Sequence, residues 1–177
     1  MRMKAEILTR WRLALFHLAG GGLSIGVVAT VAHFFESSFL FPSLGPTAFL
    51  LLYAPGSRAA SPRSTLLGHL SGALTGWLSL AAFGLLDAPP ALVAGVDWPR
   101  VGAAALSLGG TSALMVLLDA VHPPAGATTL IVSLGLMPSL WQIPILLGAM
   151  LLLIGQALLL NRLCHVHLQR PELDDPG

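Results

Sequence analysis

Apolar residues along the chain fall into four long runs, separated by short stretches rich in proline, glycine and polar residues. The runs cover residues 13–35, 65–86, 101–118 and 143–160. At the helical rise of about 1.5 Å per residue, each run is long enough to cross about 30 Å of hydrocarbon. The pattern therefore predicts four long membrane helices.

Two shorter apolar pieces, residues 46–54 and 127–137, are too short to cross a bilayer alone as helices. They belong to the stretches FPSLGPTAF at 41–49 and HPPAGATTL at 122–130. Proline has no N–H to donate and is tolerated in a helix only at its first turn. The prolines of these stretches are therefore predicted to break the chain and to start two half-helices; they are Pro42, Pro46, Pro123 and Pro124.

The two interrupted stretches indicate an internal repeat. LSIG at 23–26 resembles LSLG at 106–109, FPSLGPTAF resembles HPPAGATTL, and LLG at 66–68 recurs at 146–148, so the offsets are 83, 81 and 80 residues. Order and spacing are both kept, as in a duplicated unit. We predict a first repeat over about 13–86 and a second over about 101–161, each with a long helix, a broken half-helix segment and another long helix.

Composition places this pattern in a membrane. Hydrophobic residues make up 55% of the chain and charged residues 10%, and the mean hydropathy is +0.80, which is too apolar for a soluble globule of this length. A net charge of +1 gives no electrostatic reason to bind nucleic acid. We expect one all-α transmembrane domain over 1–177, in contact with the lipid bilayer, with short cytoplasmic tails at 1–12 and 162–177.

The sequence leaves two membrane arrangements open. If each broken segment crosses the bilayer, the protein has six crossings and inverted repeats, with both termini in the cytoplasm. Of the nine Lys and Arg residues of the chain, only Arg100 then lies on the outer side of the membrane. Four spans with two re-entrant loops would instead put Arg58 and Arg63 outside. The excess of basic residues on cytoplasmic loops favours the first arrangement.

Irregular backbone at membrane depth must be shielded from lipid, because unpaired N–H and C=O groups are unfavourable in hydrocarbon. Two half-helix N-termini near the midplane would offer free N–H donors and positive dipole ends, which suit a small anion. The alternative is that the same residues only permit tight helix packing. Candidate substrate-binding residues are Gly45, Thr47, His69, His122, Gly126, Thr128 and Thr129.

The histidines suggest further roles. Asp119 precedes His122 by three residues at the end of a predicted span, so the two are candidates for a proton relay, or alternatively an interfacial pair. His69 lies inside an apolar run, where an ionisable side chain is a functional candidate, although it could be neutral and hydrogen-bonded to a carbonyl. His165 and His167 alone make a poor metal site, so neither a metal nor another cofactor is expected.

Glycines at four-residue spacing are typical of close helix contacts in membranes. Gly68, Gly72 and Gly76 form a doubled GxxxG ridge, and Gly22 and Gly26 have the same spacing. These faces are predicted to pack against other helices of the chain or to join subunits into a homo-oligomer.

The stretch HPPAGATTL, together with SPRSTLLGH at 61–69, resembles the HPP family of integral membrane proteins over nearly the whole chain. The resemblance implies a small multi-pass protein of bacterial or plastid membranes, with some members linked to nitrite transport. One departure is Gly45-Pro46-Thr47, where the family's first break has Gly-Ala-Ser/Thr. The matching positions are His122, Pro123, Pro124, Gly126 and Thr128, and Pro62, Arg63, Gly68 and His69.

Two functional hypotheses follow. The first is a channel or secondary transporter for a small anion, nitrite by resemblance, in the bacterial inner membrane. The second is a membrane-embedded assembly or regulatory partner without a substrate, which the glycine ridges favour. No nucleophile motif accompanies Ser43, His69 or Asp119, so the chain is not expected to be an enzyme.

Overall fold

A computed structural model of the chain describes residues 2–35 and 40–164, with side chains from residue 7 onward. All regular structure in these residues is helical, which confirms the predicted all-α class. The helices are α1 (Arg2–Phe34), α2 (Leu44–Tyr53), α3 (Pro62–Ala82), α4 (Ala91–Ala94), α5 (Trp98–Leu117), α6 (Ala125–Ser133) and α7 (Gln142–Leu163), with a 3₁₀ turn at Arg58–Ala60. His165, His167, most of the predicted C-terminal tail and residues 36–39 lie outside the described residues.

The predicted order of long helix, half-helix and long helix is present in both halves of the chain. In the first half, α1, α2 and α3 have 33, 10 and 21 residues. In the second half, α5, α6 and α7 have 20, 9 and 22 residues. Helix α1 begins at Arg2 and so includes the predicted N-terminal tail, because charged residues limit how far a helix enters hydrocarbon but do not end the helix.

Three helices in the described part of the chain are long and apolar enough to cross a membrane: Ile7–Phe34, Trp98–Leu117 and Gln142–Leu163. Helix α3 is of similar length, but its buried face is largely polar or small and includes Thr65, His69 and Thr75. It packs against α5, α6 and α7. Neighbouring helices therefore cover the polar face of α3, as polar side chains at membrane depth require, whereas Leu74 and Leu78 of this helix are exposed.

The pattern of helix contacts stays the same when the two halves of the chain are exchanged. Helix α3 packs on α5 and α6, and its counterpart α7 packs on α1 and α2. Within the halves, α1 contacts α2 and α5 contacts α6. The last helix of each half therefore lies on the first two helices of the other half, and the halves are interlocked.

The two breaks share the same backbone turn. In the first break the N–H of Leu44 donates to the carbonyl of Phe41 at 2.9 Å, and in the second the N–H of Ala125 donates to the carbonyl of His122 at 3.0 Å. These positions are 81 residues apart, which supports the repeat. The following N–H groups form the same bond in both breaks, Gly45 to Pro42 and Gly126 to Pro123.

These turns correct the expectation of free N–H donors at the N-termini of the half-helices. The first N–H groups of α2 and α6 bond to carbonyls of the preceding turn, and proline supplies none at positions 123 and 124. The N–H of His122 donates to the sulfur of Met115 at 3.4 Å. Polar chemistry where the half-helices meet therefore comes from side chains.

The GxxxG ridge of α3 receives α6 of the same chain. A Cβ atom added to Gly68 would lie 2.8 Å from Cβ of His122, one on Gly72 would lie 2.7 Å from Oγ1 of Thr129, and one on Gly76 would lie 2.7 Å from Cβ of Val132. The glycines thus bring the second half-helix against α3. By contrast, a Cβ added to Gly22 or Gly26 of α1 would meet no atom within 4 Å.

Candidate functional site

Four of the predicted substrate-binding residues converge on one buried point. Thr47 lies in the first turn of α2, His69 on α3, His122 in the second break and Thr128 in the first turn of α6. Their exposed fractions are 0%, 0%, 0% and 1%. We call these four residues the His–Thr cluster.

His69 lies at the centre of the His–Thr cluster. Its Nε2 atom is 2.9 Å from Oγ1 of Thr47, and its Nδ1 atom is 2.7 Å from Oγ1 of Thr128. The two threonines occupy equivalent positions of the repeat, 81 residues apart. Half-helices from the two halves of the chain therefore bind opposite edges of one imidazole ring.

Hydrogen bonding assigns the tautomer of His69. The hydroxyl of Thr47 donates to the carbonyl of Ser43 at 2.8 Å, so its oxygen accepts from Nε2–H of His69. Thr128 then donates its hydroxyl proton to Nδ1. This assignment satisfies all three contacts with a neutral ring, whereas the other tautomer satisfies only two.

His122 is oriented by the 3₁₀ turn that precedes α3. Its Nδ1 atom lies 2.7 Å from the carbonyl oxygen of Ala59, and because a carbonyl only accepts, Nδ1 must carry the proton. Oγ1 of Thr65 lies 3.5 Å from the same nitrogen. Nε2 faces Oγ1 of Thr47 at 3.4 Å, and the ring centroids of His122 and His69 are 5.0 Å apart.

The other predicted substrate-binding residues lie apart from the His–Thr cluster. Thr129 belongs to a second buried hydroxyl chain, in which Oγ1 of Thr111 is 2.7 Å from that of Thr129 and 2.5 Å from that of Thr75. Gly45 is exposed, and a Cβ added there would meet no atom within 4 Å. For Gly126, the nearest atom to an added Cβ is Cδ1 of Leu108 at 3.5 Å. A role for these three residues in binding remains a prediction.

The predicted relay residues Asp119 and His122 make no direct hydrogen bond in the described part of the chain. Asp119 has a φ of 49°, a left-handed conformation that ends α5. Its exposed carboxylate forms an ion pair with Arg58. Arg63 donates to the carbonyls of Leu118 at 2.8 Å and of Asp119 at 2.9 Å. The carboxylate thus joins the 3₁₀ turn to the end of α5, and Arg63 joins the start of α3 to the same place.

A groove of about 390 Å³ lies beside the starts of both half-helices. Its lining is mostly apolar and consists of Pro46, Leu50, Pro123, Pro124 and Ala127. The predicted structural prolines Pro46, Pro123 and Pro124 therefore form part of its wall. The neighbouring His–Thr cluster is enclosed, so groove and cluster do not form one open cavity in this conformation.

The sequence reasoning did not identify Thr65, Thr75 and Thr111. Each is polar within an apolar run and has a polar or small residue four positions away, such as His69 for Thr65. Residues four apart lie on one helix face, so this spacing is a signal of a polar face turned toward other helices. Within the described residues, no group of three or more His, Cys, Asp or Glu side chains is placed to hold a metal ion.

Comparisons with known proteins identify relatives in membranes. One transmembrane protein of Dictyostelium discoideum is 29% identical over 132 residues, which is 71% of this chain and 42% of that protein. A second transmembrane protein of this organism is 32% identical over 96 residues, which is 54% of this chain and 28% of that protein. The chain thus aligns with less than half the length of either relative.

No solved structure gives a significant match to the chain. The family model described as the transmembrane region of HPP proteins matches residues 7–169, which include every described element from the second turn of α1 onward. The His-Pro-Pro tripeptide at 122–124 immediately precedes α6 and supplies one ring of the His–Thr cluster. The chain belongs to the HPP family of transmembrane proteins.

Proposed function

We propose that this protein is a channel or secondary transporter that carries a small inorganic anion across the membrane, with nitrite as the substrate to test first. The observation that carries the proposal is the His–Thr cluster, where equivalent threonines of two half-helices meet at one buried histidine. Transporters built from two repeats commonly bind substrate between interrupted helices at the repeat interface.

The side chains of the cluster suit a small oxyanion. Hydroxyl and imidazole N–H groups are hydrogen-bond donors. The acceptors to which they now donate are neutral, so a bound anion would replace neutral partners. Donors held in a water-excluded site interact strongly with a negative charge. Because Thr47, His69, His122 and Thr128 are enclosed, the described conformation corresponds to an occluded state, and transport requires the half-helices to move apart.

We further propose that the two halves are inverted and that both termini face the cytoplasm of a bacterial cell. Pro62 at the start of α3 and Asn161 near the end of α7 line the same small hollow. Helices α3 and α7 are equivalent in the repeat, so this arrangement supports opposite directions through the membrane. Inverted repeats allow one fold to open alternately to either side.

Purified protein in liposomes tests the transport function. Vesicles that contain the protein should take up nitrite faster than empty vesicles, and Thr47→Val should reduce the difference. Thr30→Val is the matched control, since Thr30 is exposed on α1 and bonds only to the carbonyl of Gly26 among the described contacts. Equal rates in loaded and empty vesicles, for nitrite and for a panel of similar anions, would contradict the proposal.

The second candidate function, an assembly or regulatory partner without substrate, is favoured by α1. Gly22 and Gly26 are exposed on this helix with open space around them, and only 17% of its most apolar window is buried. If α1 binds another membrane helix there, Gly22→Leu should prevent co-purification of that partner or of a second copy, while nitrite uptake should be absent in every variant.

A further inference from the structure

The His–Thr cluster contains one more hydrogen-bonding contact than its neutral groups can satisfy. Five contacts join the four residues of the cluster to one another and to the carbonyls of Ser43 and Ala59. A sixth contact, from Nδ1 of His122 to Oγ1 of Thr65, shares the Nδ1 proton that is donated to Ala59. Neutral groups supply four protons, one from each threonine hydroxyl and one from each ring. The five contacts are Thr47 to the Ser43 carbonyl, Thr47 to His69, Thr128 to His69, His122 to the Ala59 carbonyl, and His122 to Thr47.

The contact that lacks a proton is the one between Nε2 of His122 and Oγ1 of Thr47. Since Nδ1 of His122 donates to Ala59 and the Thr47 hydroxyl donates to Ser43, no proton remains between Nε2 and Oγ1 of Thr47. This contact, at 3.4 Å, is also the longest of the five. A second proton on His122 would satisfy all five contacts without moving any other proton.

A cationic His122 has no counter-charge among the described residues that contact it. Helix α3 presents His69 at a ring distance of 5.0 Å, and α2 presents Thr47. The carboxylate of Asp119 is 69% exposed and pairs with Arg58, and Arg63 adds another positive charge at the same end of α3. A buried cation without a partner is unfavourable, so an anion would have to arrive with the proton.

We propose that His122 carries a proton that accompanies the transported anion, so that the protein is an electroneutral proton–anion symporter. This inference rests on the proposed transport function. On one side of the membrane, the lone pair of Nε2 forms an N–H bond with a proton from water as the anion enters. On the other side that bond breaks, the proton returns to water and the anion leaves, so that one proton and one anion have crossed.

Calorimetry of the wild-type protein in detergent tests the proposal directly. Sodium nitrite is titrated at one pH in two buffers whose ionisation enthalpies differ. We expect uptake of about one proton per bound nitrite, because binding and protonation of one site are linked. Nitrite binding without proton uptake would contradict the symport proposal, whereas absence of nitrite binding would contradict the proposed function itself.

Vesicles with the membrane potential clamped at zero provide the second test. An inward proton gradient should increase the initial rate of nitrite uptake several-fold, after subtraction of the rate in empty vesicles, since undissociated nitrous acid crosses lipid. Uptake that responds to the membrane potential and not to the proton gradient would support transport and overturn symport.

Replacement of His122 tests whether this residue carries the transported proton. His122→Gln keeps a side-chain amide that can donate to Ala59 but cannot take up a proton, so uptake should fall and the remainder should not respond to the gradient. His33→Gln is the matched control on the exposed surface of α1 and should retain the response. A gradient response that persists in His122→Gln would show that another group carries the proton. If that variant does not fold, the wild-type calorimetry still decides.

Discussion

At the scale of single residues, the candidate site depends on two threonines that the repeat makes equivalent but that bond differently. Thr47 donates to its own helix at Ser43 and accepts from His69, whereas Thr128 donates to His69. One imidazole thus acts as donor on one edge and acceptor on the other. The asymmetry fixes the tautomer of His69 and leaves Nε2 of His122 without a proton donor.

Thr128→Val should destabilise the protein by about 1–3 kcal/mol, because it leaves Nδ1 of His69 buried without a donor. Thr30→Val removes a hydroxyl from an exposed position and should change stability much less. The measurement is thermal unfolding of both variants in the same detergent, together with nitrite uptake. Equal losses of stability in the two variants would mean that the hydrogen bond from Thr128 to His69 stabilises the protein no more than the exposed hydroxyl of Thr30.

Sequence alone could single out the four residues of the His–Thr cluster as candidates, but it could not show how they bond. Thr47, His122 and Thr128 stand at positions where proline and glycine interrupt apolar runs, and His69 is ionisable within such a run, so the residue types identify them. The tautomers depend on the carbonyls of Ser43 and Ala59. No sequence pattern specifies where those backbone oxygens lie, because their positions depend on how the helices pack.

At the scale of helices, the contact between α3 and α6 positions half of the His–Thr cluster. The ridge of Gly68, Gly72 and Gly76 lets α6 approach until backbone atoms of the two helices nearly touch. Oγ1 of Thr129 and the carbonyl of Ala125 would lie 2.7 Å and 2.8 Å from a Cβ on Gly72. The sequence predicted a close contact from the spacing, but it left open whether the partner was internal.

Gly72→Ala should therefore destabilise the protein by about 1–3 kcal/mol through overpacking, and it should reduce uptake by shifting α6 relative to His69. Gly26→Ala is the matched control, since open space surrounds Gly26 and alanine favours helix by up to about 1 kcal/mol. Thermal unfolding in detergent compares them. If Gly72→Ala were as stable as Gly26→Ala, α6 would have to lie farther from α3 than described.

At the scale of the whole molecule, the sequence predicted two repeats but not how they interlock. Matching tetrapeptides and a constant offset near 81 residues reveal a duplication, and the identical backbone turns of the two breaks agree with it. The pattern also predicted four similar spans. It could not distinguish α3, whose polar face is covered, from the peripheral α1. An apolar run shows how hydrophobic a helix is but not which helices surround it.

Inverted halves make a prediction about membrane sides. In a background where native Cys164 is replaced by serine, Gly56→Cys before α3 and Val93→Cys between α3 and α5 should react with a membrane-impermeant maleimide from opposite faces. Both positions are exposed. Cys164 itself should label from the same face as Gly56→Cys. Labelling of Gly56→Cys and Cys164 from opposite faces would instead favour re-entrant loops and parallel repeats.

The interlocked contacts have a consequence for biosynthesis. When a ribosome has completed only the first half, α3 lacks α5, α6 and α7, the three helices of the second half that later pack against it. Until they emerge, Thr65, His69 and Thr75 face lipid or the insertion machinery. Packing of this polar face must therefore await synthesis of Thr111 and Thr128, which contact Thr75 and His69, so the nascent first half depends on partners that have yet to be translated.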